Sequence, residues 1–467
     1  MPIVPLVFVP GTPKVQQIVE ALQRAIEQGA LPIGSKLPAV RELTEQWGVS
    51  KFTVIEALDR LRGRGLITSS QGRGHFVAAT GVQKNTVSQW VDLLPQDLIN
   101  VLRRSLITDN GALRAGSGHM PEAWLDSPAI RQALRNAVRA PALRVAGYGT
   151  PGGYLPLRQA LQQKLHGQGM SVQVEQIVTA PNTLQAIDML MRLLVRPGDT
   201  VLLDAPCYFN FHANLALHGV NIVSIARGPE GHDLVELTRT LASHRPRVYL
   251  TTGILHNPTG HAFTPSQAFQ LLQVMREYGC HVIEDDLYAD LHPSPPPRLA
   301  ALAGLEQVTY LSGFSKTLSA NMRVSYIAAA PQLAANLMHL KLMSGGIASE
   351  LFEQVLCRLL VDGGYAKHRK RVTQQLQEAA GRVCEWLRQA GCELPYGYQG
   401  GLFVWAKLPM GADAEVIARS ALEQGLVLAP GALFGSAEGC QRYLRFNVAY
   451  SDDARVRDGV QKLLPGS

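Results

Sequence analysis

The chain has 467 residues, which corresponds to two or three domains of ordinary size. Apolar residues make up 46 % and charged residues 17 %, so the composition is not that of a disordered chain. No apolar run reaches the roughly 18–20 residues that cross a bilayer, and the apolar start lacks the basic region of a signal peptide. The six cysteines form no C-x-x-C pair, which argues against a metal site or a disulfide framework and favours a reducing cytoplasm. The net charge of +7 permits nucleic-acid binding without demonstrating it.

Helical spacing of the apolar residues predicts three helices near the N-terminus, at 13–29, 39–48 and 50–65. Residues 66–78 are typical of two short strands joined by a glycine-containing turn. Three helices followed by a hairpin predict a winged helix-turn-helix, in which the third helix presents its N-terminal residues to the DNA major groove.

Four side chains of this module are placed for DNA contacts. Lys51 and Thr53 lie at the start of the third helix, where Lys51 is suited to a base edge or a phosphate and Thr53 to a phosphate. Arg41 opens the second helix, and Arg73 lies between two glycines at the hairpin tip. The alternative is that all four are ordinary solvated polar groups on a small helical domain.

Residues 12–79, with the segment LPAVRELTEQWGVSKFTVIEALDRL, closely resemble the DNA-binding domain of the GntR family of bacterial regulators. Two residues depart from the family pattern, because Trp47 stands where leucine is usual and Phe52 where a small or polar residue is frequent. Phe52 either contacts a thymine methyl group in the groove or packs against the protein. The resemblance implies DNA contacts by Lys36, Arg41, Ser50, Lys51, Thr53, Arg73 and Gly74.

Residues 80–112 have no strong fold signature, although the segment VSQWVDLLPQDLINVLRRSL is partly amphipathic. We interpret them as a linker that contains one or two helical turns. The first helix of the next domain is an equally good interpretation.

From residue 113 to residue 467 the pattern changes to short apolar strands that alternate with helical stretches. Strands of this kind include TVLLDAP, RVYLTTG, HVIEDD, VTYLSGFS and VSYIAAAP. The alternation predicts an α/β domain with a mainly parallel sheet covered by helices. Ligand sites in such sheets lie beyond the carboxyl ends of the strands.

Three chemically distinctive residues fall at predicted strand ends. Asp285 ends the strand in HVIEDDLY, Asn257 precedes a proline turn in HNPTG, and Lys316 follows a strand in LSGFSKTLSANMR. A carboxylate there is suited to a cationic ring nitrogen, and an amide is suited to a phenolic oxygen. Each feature alone is weak, and a lone lysine is most often a surface residue.

Together, in this order and spacing, these residues resemble fold-type I pyridoxal-phosphate aminotransferases over roughly residues 113–465. The resemblance implies a second, smaller C-terminal α+β lobe and pyridoxal 5'-phosphate as cofactor. Lys316 then matches the lysine that forms a Schiff base with the cofactor. Asp285 matches the carboxylate that keeps the pyridine nitrogen protonated. Asn257 and Tyr288 match the partners of the phenolic oxygen, and Tyr208 matches the aromatic residue on the ring face.

The same resemblance assigns a phosphate site and a carboxylate site. The phosphate site comprises the helix start at Asn182 and Thr183, Arg323, Ser315, and Tyr148 from the other subunit of a dimer. Asn182 replaces a usual glycine. Gly313 replaces a usual Ser or Thr, so Ser312 or Ser315 is expected to act in its place. Arg445, in RYLRFNVAY, matches the arginine that binds a substrate carboxylate, with a structural ion pair as the alternative.

A GntR-type winged helix followed by an aminotransferase-like domain resembles the MocR subfamily of regulators. This resemblance implies a cytoplasmic, head-to-tail homodimer that binds operator DNA and responds to pyridoxal phosphate or an amino-carboxylate, with no membrane partner. One alternative is a working aminotransferase with an appended DNA-binding domain. Another is a DNA-binding protein whose large domain has lost the cofactor.

Overall fold

In a computed structural model, the residues described are 6, 8, 13–27, 30–32, 34–63, 66–70, 74–77, 112–140, 146–435 and 437–464. They fall into two compact units, Met1–Leu93 and Leu94–Ser467. Apart from residue 112, the predicted linker at 80–112 lies outside the described residues.

The N-terminal unit is the predicted winged helix-turn-helix. Its core consists of apolar side chains from the three helices, with Ile18, Leu43 and Leu58 each no more than 1 % exposed. Gly48 ends the second helix in the left-handed conformation that glycine adopts without strain. The elements are α1 (Lys14–Glu27), α2 (Val40–Trp47), α3 (Lys51–Gly63) and the antiparallel strands β1 (Ile67–Ser70) and β2 (Gly74–Val77).

The larger unit is built on a seven-stranded sheet in the order β3-β9-β8-β7-β6-β4-β5. All neighbouring strands pair in parallel except β9, which is antiparallel to both β3 and β8. The mainly parallel sheet predicted from the strand–helix alternation is therefore confirmed. The strands are β3 (Ile177–Ala180), β4 (Thr200–Ala205), β5 (Asn221–Ala226), β6 (Val248–Thr251), β7 (His281–Asp285), β8 (Val308–Gly313) and β9 (Ser325–Ala328).

Helices cover both faces of this sheet because successive strand residues point to opposite sides. Leu202 packs into one apolar core, whereas its neighbours Val201 and Leu203 pack into the other. The helices before the C-terminal lobe are α4 (Glu122–Leu125), α5 (Pro128–Arg139), α6 (Leu155–His166), α7 (Thr183–Leu194), α8 (Phe209–Ala216), α9 (Leu234–His244), α10 (Pro265–Glu277), α11 (Leu299–Ala303), α12 (Pro331–Ser344) and α13 (Glu350–Val361).

The C-terminal lobe has its own apolar core around an antiparallel three-stranded sheet in the order β10-β12-β11. Its elements are α14 (Gly364–Gln389), β10 (Phe403–Lys407), α15 (Ala414–Glu423), β11 (Ala429–Pro430), α16 (Ala437–Cys440), β12 (Tyr443–Asn447), α17 (Val448–Ser451) and α18 (Ala454–Gln461). Within the described ranges, no helix combines the length and apolar character needed to span a membrane.

Candidate functional site

A cavity of about 150 Å³ opens where the carboxyl ends of the large sheet meet the C-terminal lobe. Five of the residues singled out in the sequence line it: Tyr208, Asn257, Tyr288, Lys316 and Arg445. Four of them, Tyr208, Asn257, Tyr288 and Lys316, follow parallel strands whose carboxyl ends lie at one edge of the large sheet. Arg445 reaches the cavity from β12 of the C-terminal lobe.

Lys316 extends into this cavity from the segment after β8. Its Nζ donates a hydrogen bond to the Gly118 carbonyl at 2.8 Å and lies 3.2 Å from His119 Nδ1. Removal from bulk water, together with the charge of Arg445, lowers the pKa of Lys316 from 10.5 to about 7, while Asp285 acts in the opposite direction. The amine is therefore substantially uncharged near neutral pH, as a nucleophilic lysine must be.

Asp285 is the last residue of β7 and is only 5 % exposed. Burial and the neighbouring carboxylate of Asp286 raise the pKa of Asp285 to about 7, although the Leu287 amide and Lys316 favour the charged form. Its Oδ1 is buried and has no hydrogen-bond partner among the residues that the structure describes. Such an atom costs free energy unless a donor meets it, so the carboxylate is suited to a cationic N–H group.

Arg445 lies on β12 and is 3 % exposed. Its Nη1 donates to Asn257 Oδ1 and its Nη2 to the Gly116 carbonyl, each at 2.7 Å. The guanidinium also faces the rings of Phe403 and Phe434, at 4.3 and 4.8 Å from their centroids. Burial lowers the pKa of Arg445 to about 10. Within the described part of the chain these contacts are all with neutral groups, and Nε is buried without a partner, so the arrangement favours an anion-binding role over a structural ion pair.

Two tyrosines complete the wall of the cavity. Asn210 Nδ2 donates to the Tyr208 hydroxyl at 2.6 Å. Burial raises the pKa of Tyr288, and a hydrogen bond with Asn257 offsets part of this rise. Asn257 thus contacts both Tyr288 and Arg445.

A buried polar network lies behind Asn257 and was not found from the sequence. Asp204 accepts hydrogen bonds from Thr251 Oγ1 at 2.7 Å and from Arg227 Nη1 at 3.3 Å, and it lies 3.5 Å from His256 Nε2. Burial alone would raise the pKa of Asp204, but Arg227 and His232 hold it far below its ordinary value. Because His256 directly precedes Asn257, this network fixes the start of the Asn257 loop.

The sequence reasoning also missed His119. The charge of protonated Lys316 and burial lower the pKa of His119 to about 4, so the imidazole is neutral near pH 7, and its Nδ1 lies within hydrogen-bond distance of Lys316 Nζ. The available sequence signal is the flanking glycine pattern GSGH. A Cβ at Gly116 would lie 2.5 Å from the backbone of Leu428 and Ala429, so only glycine permits this close approach.

The predicted phosphate-site residues do not line the cavity with Lys316. Asn182 caps α7, where its side chain accepts from the Gln185 amide at 2.9 Å, and Thr183 is the first residue of that helix. Arg323 is exposed and has a left-handed backbone (φ 53°). Ser315 lines a neighbouring cavity, and Tyr148 is 93 % exposed in the single chain.

The absence of a side chain at Gly313 has a local reason. A Cβ there would lie 3.0 Å from the Ser325 Cβ on the adjacent strand β9. Ser325 occupies this space and donates from its hydroxyl to the Ala180 carbonyl at 3.0 Å. Gly313 and Ser325 therefore form one packed pair.

In the N-terminal unit, most of the predicted DNA contacts that the structure describes are exposed. Arg41 is exposed and pairs with Glu45 at 3.0 Å. Lys36, Lys51 and Gly74 are exposed as well. Arg73 lies outside the described residues.

The start of α3 has a closed cap. The Ser50 hydroxyl accepts from the Thr53 amide at 3.1 Å and shares a 2.8 Å hydrogen bond with the Thr53 hydroxyl. Phe52 is 74 % exposed, so it does not pack against the described part of the unit.

Two family models match the chain: aminotransferase class I and II over residues 113–463, and bacterial regulatory proteins of the gntR family over residues 14–77. The HTH-type transcriptional regulator YdfD of Bacillus subtilis is 29 % identical, over 97 % of this chain and 95 % of its own length. The 2-aminoadipate transaminase of Thermus thermophilus is 31 % identical, over 75 % of this chain and 88 % of its own.

Solved structures of aminotransferases share the fold of most of the chain. The alpha-aminoadipate aminotransferase LysN of Thermus thermophilus, complexed with N-(5'-phosphopyridoxyl)-L-leucine, superposes with a TM-score of 0.71 at 27 % identity, over 81 % of this chain and 98 % of that one. The Pyrococcus horikoshii kynurenine aminotransferase has a TM-score of 0.74 at 24 % identity, over 82 % of this chain and 97 % of that one.

Proposed function

Because the chain belongs to the class I and II aminotransferase family and carries a GntR-type domain in the MocR arrangement, we propose that it is a pyridoxal-phosphate-dependent transcriptional regulator. Its operator binding responds to pyridoxal phosphate, to an amino-carboxylate effector, or to both, in the cytoplasm. The observation that carries this proposal is the presence of both units in one chain, matched almost end to end by HTH-type regulators.

The residues of the cavity, together with Asp285, whose charge acts on Lys316 although it does not line the cavity, fit pyridoxal phosphate. The unpartnered Asp285 Oδ1 suits the N–H of a protonated pyridine ring, and Tyr208 offers an aromatic face. Lys316 has the lowered pKa that an amine needs to react with an aldehyde near neutral pH. When bound, the cofactor supplies an aldehyde for covalent attachment and an electron-withdrawing ring. This fit argues against a large domain that has lost its cofactor.

The protein's own groups then have distinct roles. Lys316 provides the attacking amine, and neutral His119 shares a hydrogen bond with it through Nδ1. Asp285 would favour a positive charge on the ring nitrogen, and Asn257 with Tyr288 would hold the phenolic oxygen. The free Nε of Arg445 and its remaining N–H groups bind the carboxylate of an amino compound.

The start of α7 would hold the phosphate through its first amide groups, which lack partners within the helix, although the Gln185 amide is already bonded to Asn182 Oδ1. Thr183, Ser315 and Arg323 supply further donors, and Asn182 shapes the turn. We assign Tyr148 to the phosphate of the other subunit in a head-to-tail homodimer, and its 93 % exposure supports a role outside its own chain.

The test is operator binding by the full-length protein, alone, with pyridoxal phosphate, and with pyridoxal phosphate plus each of a panel of amino acids. We expect the affinity or the footprint to differ between these states, since a ligand shifts an equilibrium only through its different affinity for the two forms. Equal affinity and identical footprints in all states would exclude the effector response and leave DNA binding intact.

A working aminotransferase with an appended DNA-binding domain is the second candidate. The 31 % identity to a transaminase and the lowered pKa of Lys316 favour it. Multiple turnovers with an amino-acid donor and a keto-acid acceptor would establish this activity. A single half-reaction would favour the regulator.

A further inference from the structure

The N-terminal end of α3 exposes an apolar pair. α3 buries Val54 and Leu58, whereas Phe52 is 74 % and Ile55 is 39 % exposed. Phe52 and Ile55 are three residues apart and thus neighbours on one helix face. Lys51, in the same turn, is exposed as well.

The remaining charges of α3 are paired locally. Glu56 contacts Arg60 at 2.6 Å, and Asp59 contacts Arg62 at 2.9 Å. These pairs lie nearer the C-terminal end of the helix, so the first turns combine one cation with two apolar groups. The hydroxyls of the cap are already bonded to each other.

This combination matches one feature of the DNA major groove. The N-terminal residues of a recognition helix reach the base edges, and the thymine C5-methyl is the apolar group that those edges display. We propose that Phe52, with Ile55 one turn further on, recognises thymine methyl groups in the operator. Lys51 supplies the attraction to the phosphate backbone that brings this apolar pair into the groove. The inference rests on the DNA binding proposed above and adds the base that is read.

The experiment uses the full-length protein with pyridoxal phosphate and DNA duplexes that the protein itself enriches from a random pool. Each thymine of the enriched site is replaced singly by deoxyuridine, which lacks only the methyl group. At one or two positions per half-site, wild-type binding should weaken about fourfold, the effect of losing one buried methyl-sized group. At the base pair that Phe52 contacts, Phe52→Ala should bind the thymine and the deoxyuridine duplex with equal affinity. Ile55→Ala should bind the two duplexes with equal affinity at an adjacent base pair.

The matched control is Phe269→Ala, which removes another exposed phenylalanine, on α10 and 58 % exposed. It should keep the wild-type ratio of thymine to deoxyuridine affinity. Because Phe52 is exposed, its replacement leaves the core intact, which helical circular dichroism verifies. Two results would overturn this inference and leave the proposed function intact. One is that the wild-type protein binds DNA with no effect of any thymine methyl group. The other is that Phe52→Ala keeps the wild-type ratio of thymine to deoxyuridine affinity. Enrichment of no DNA sequence at all overturns the proposed function as well.

Discussion

The two units use the same residue types in opposite environments. In the N-terminal unit, Arg41 and Lys51 are exposed to water. In the large unit, Arg445 and Lys316 are surrounded by protein in one cavity, and the charge of Arg445 helps to lower the pKa of Lys316. An exposed cation acts by attraction over a distance that salt screens, whereas a desolvated cation has its chemistry changed. Exposure thus separates residues that attract a polyanion from residues that react.

The largest effect is expected from Lys316→Ala, which removes the desolvated lysine of the large unit. Without this amine, the covalent attachment of pyridoxal phosphate should be lost completely, as measured by protein mass after borohydride reduction. Lys51→Ala is the control, because an exposed lysine should make no contribution to the attachment. Undiminished specific attachment in Lys316→Ala would show that another lysine is the nucleophile.

Asp285→Asn should weaken the binding of pyridoxal phosphate by about 10- to 100-fold, since it removes one hydrogen bond between charged partners. Titration of the cofactor-free protein with pyridoxal phosphate measures this change. Glu393→Gln makes the same chemical change at an exposed carboxylate paired with Lys407 and should bind as wild type does. An affinity within twofold of wild type in Asp285→Asn would contradict the ring-nitrogen role.

Attachment of the cofactor should depend on pH with a midpoint near 7, the lowered pKa of Lys316. Only the uncharged amine attacks, so the rate should rise about tenfold between pH 6 and pH 8 and then level off. Arg445→Gln removes a cation that lowers this pKa and should move the midpoint upward. Asp285→Asn removes an anion that raises the pKa and should move it downward. Rapid-mixing absorbance measures the rate, and shifts of equal sign in the two variants would contradict this electrostatic account.

The smallest effect is expected from Arg41→Ala. Loss of one phosphate contact should reduce the slope of log affinity against log salt concentration by about 1. Arg382 is likewise an exposed arginine paired with a carboxylate, that of Asp452, but it lies on the large unit. Arg382→Ala is the control and should leave the salt dependence of DNA binding unchanged. An unchanged slope in Arg41→Ala would exclude a contact between Arg41 and the DNA phosphate backbone.

Local sequence patterns predicted the mainly parallel sheet and the strand-end positions of several site residues, whereas the C-terminal lobe and the roles of those residues came from the family resemblance. Asp285 ends an apolar run typical of a buried strand, and Lys316 and Asn257 follow similar runs, so their placement near the carboxyl ends of parallel strands was predictable. His119 was missed, because its partner Lys316 is 197 residues away and the glycines beside it are a weak local signal. The buried Arg227–Asp204 pair was also missed, because no local sequence pattern links its two residues. For Tyr148 and Arg323, the single chain offers no contact that tests the predicted roles.

Arg445 has a consequence for the strength of ligand binding. Two of its five N–H groups hold Asn257 and Gly116, and two aromatic rings flank its plane. The side chain has therefore lost its rotational freedom during folding, not during binding. Ordering a long flexible side chain at an interface costs about 0.5–1.5 kcal/mol. A carboxylate that binds Arg445 avoids this entropic loss, whereas a phosphate that binds the exposed Arg41 must incur it.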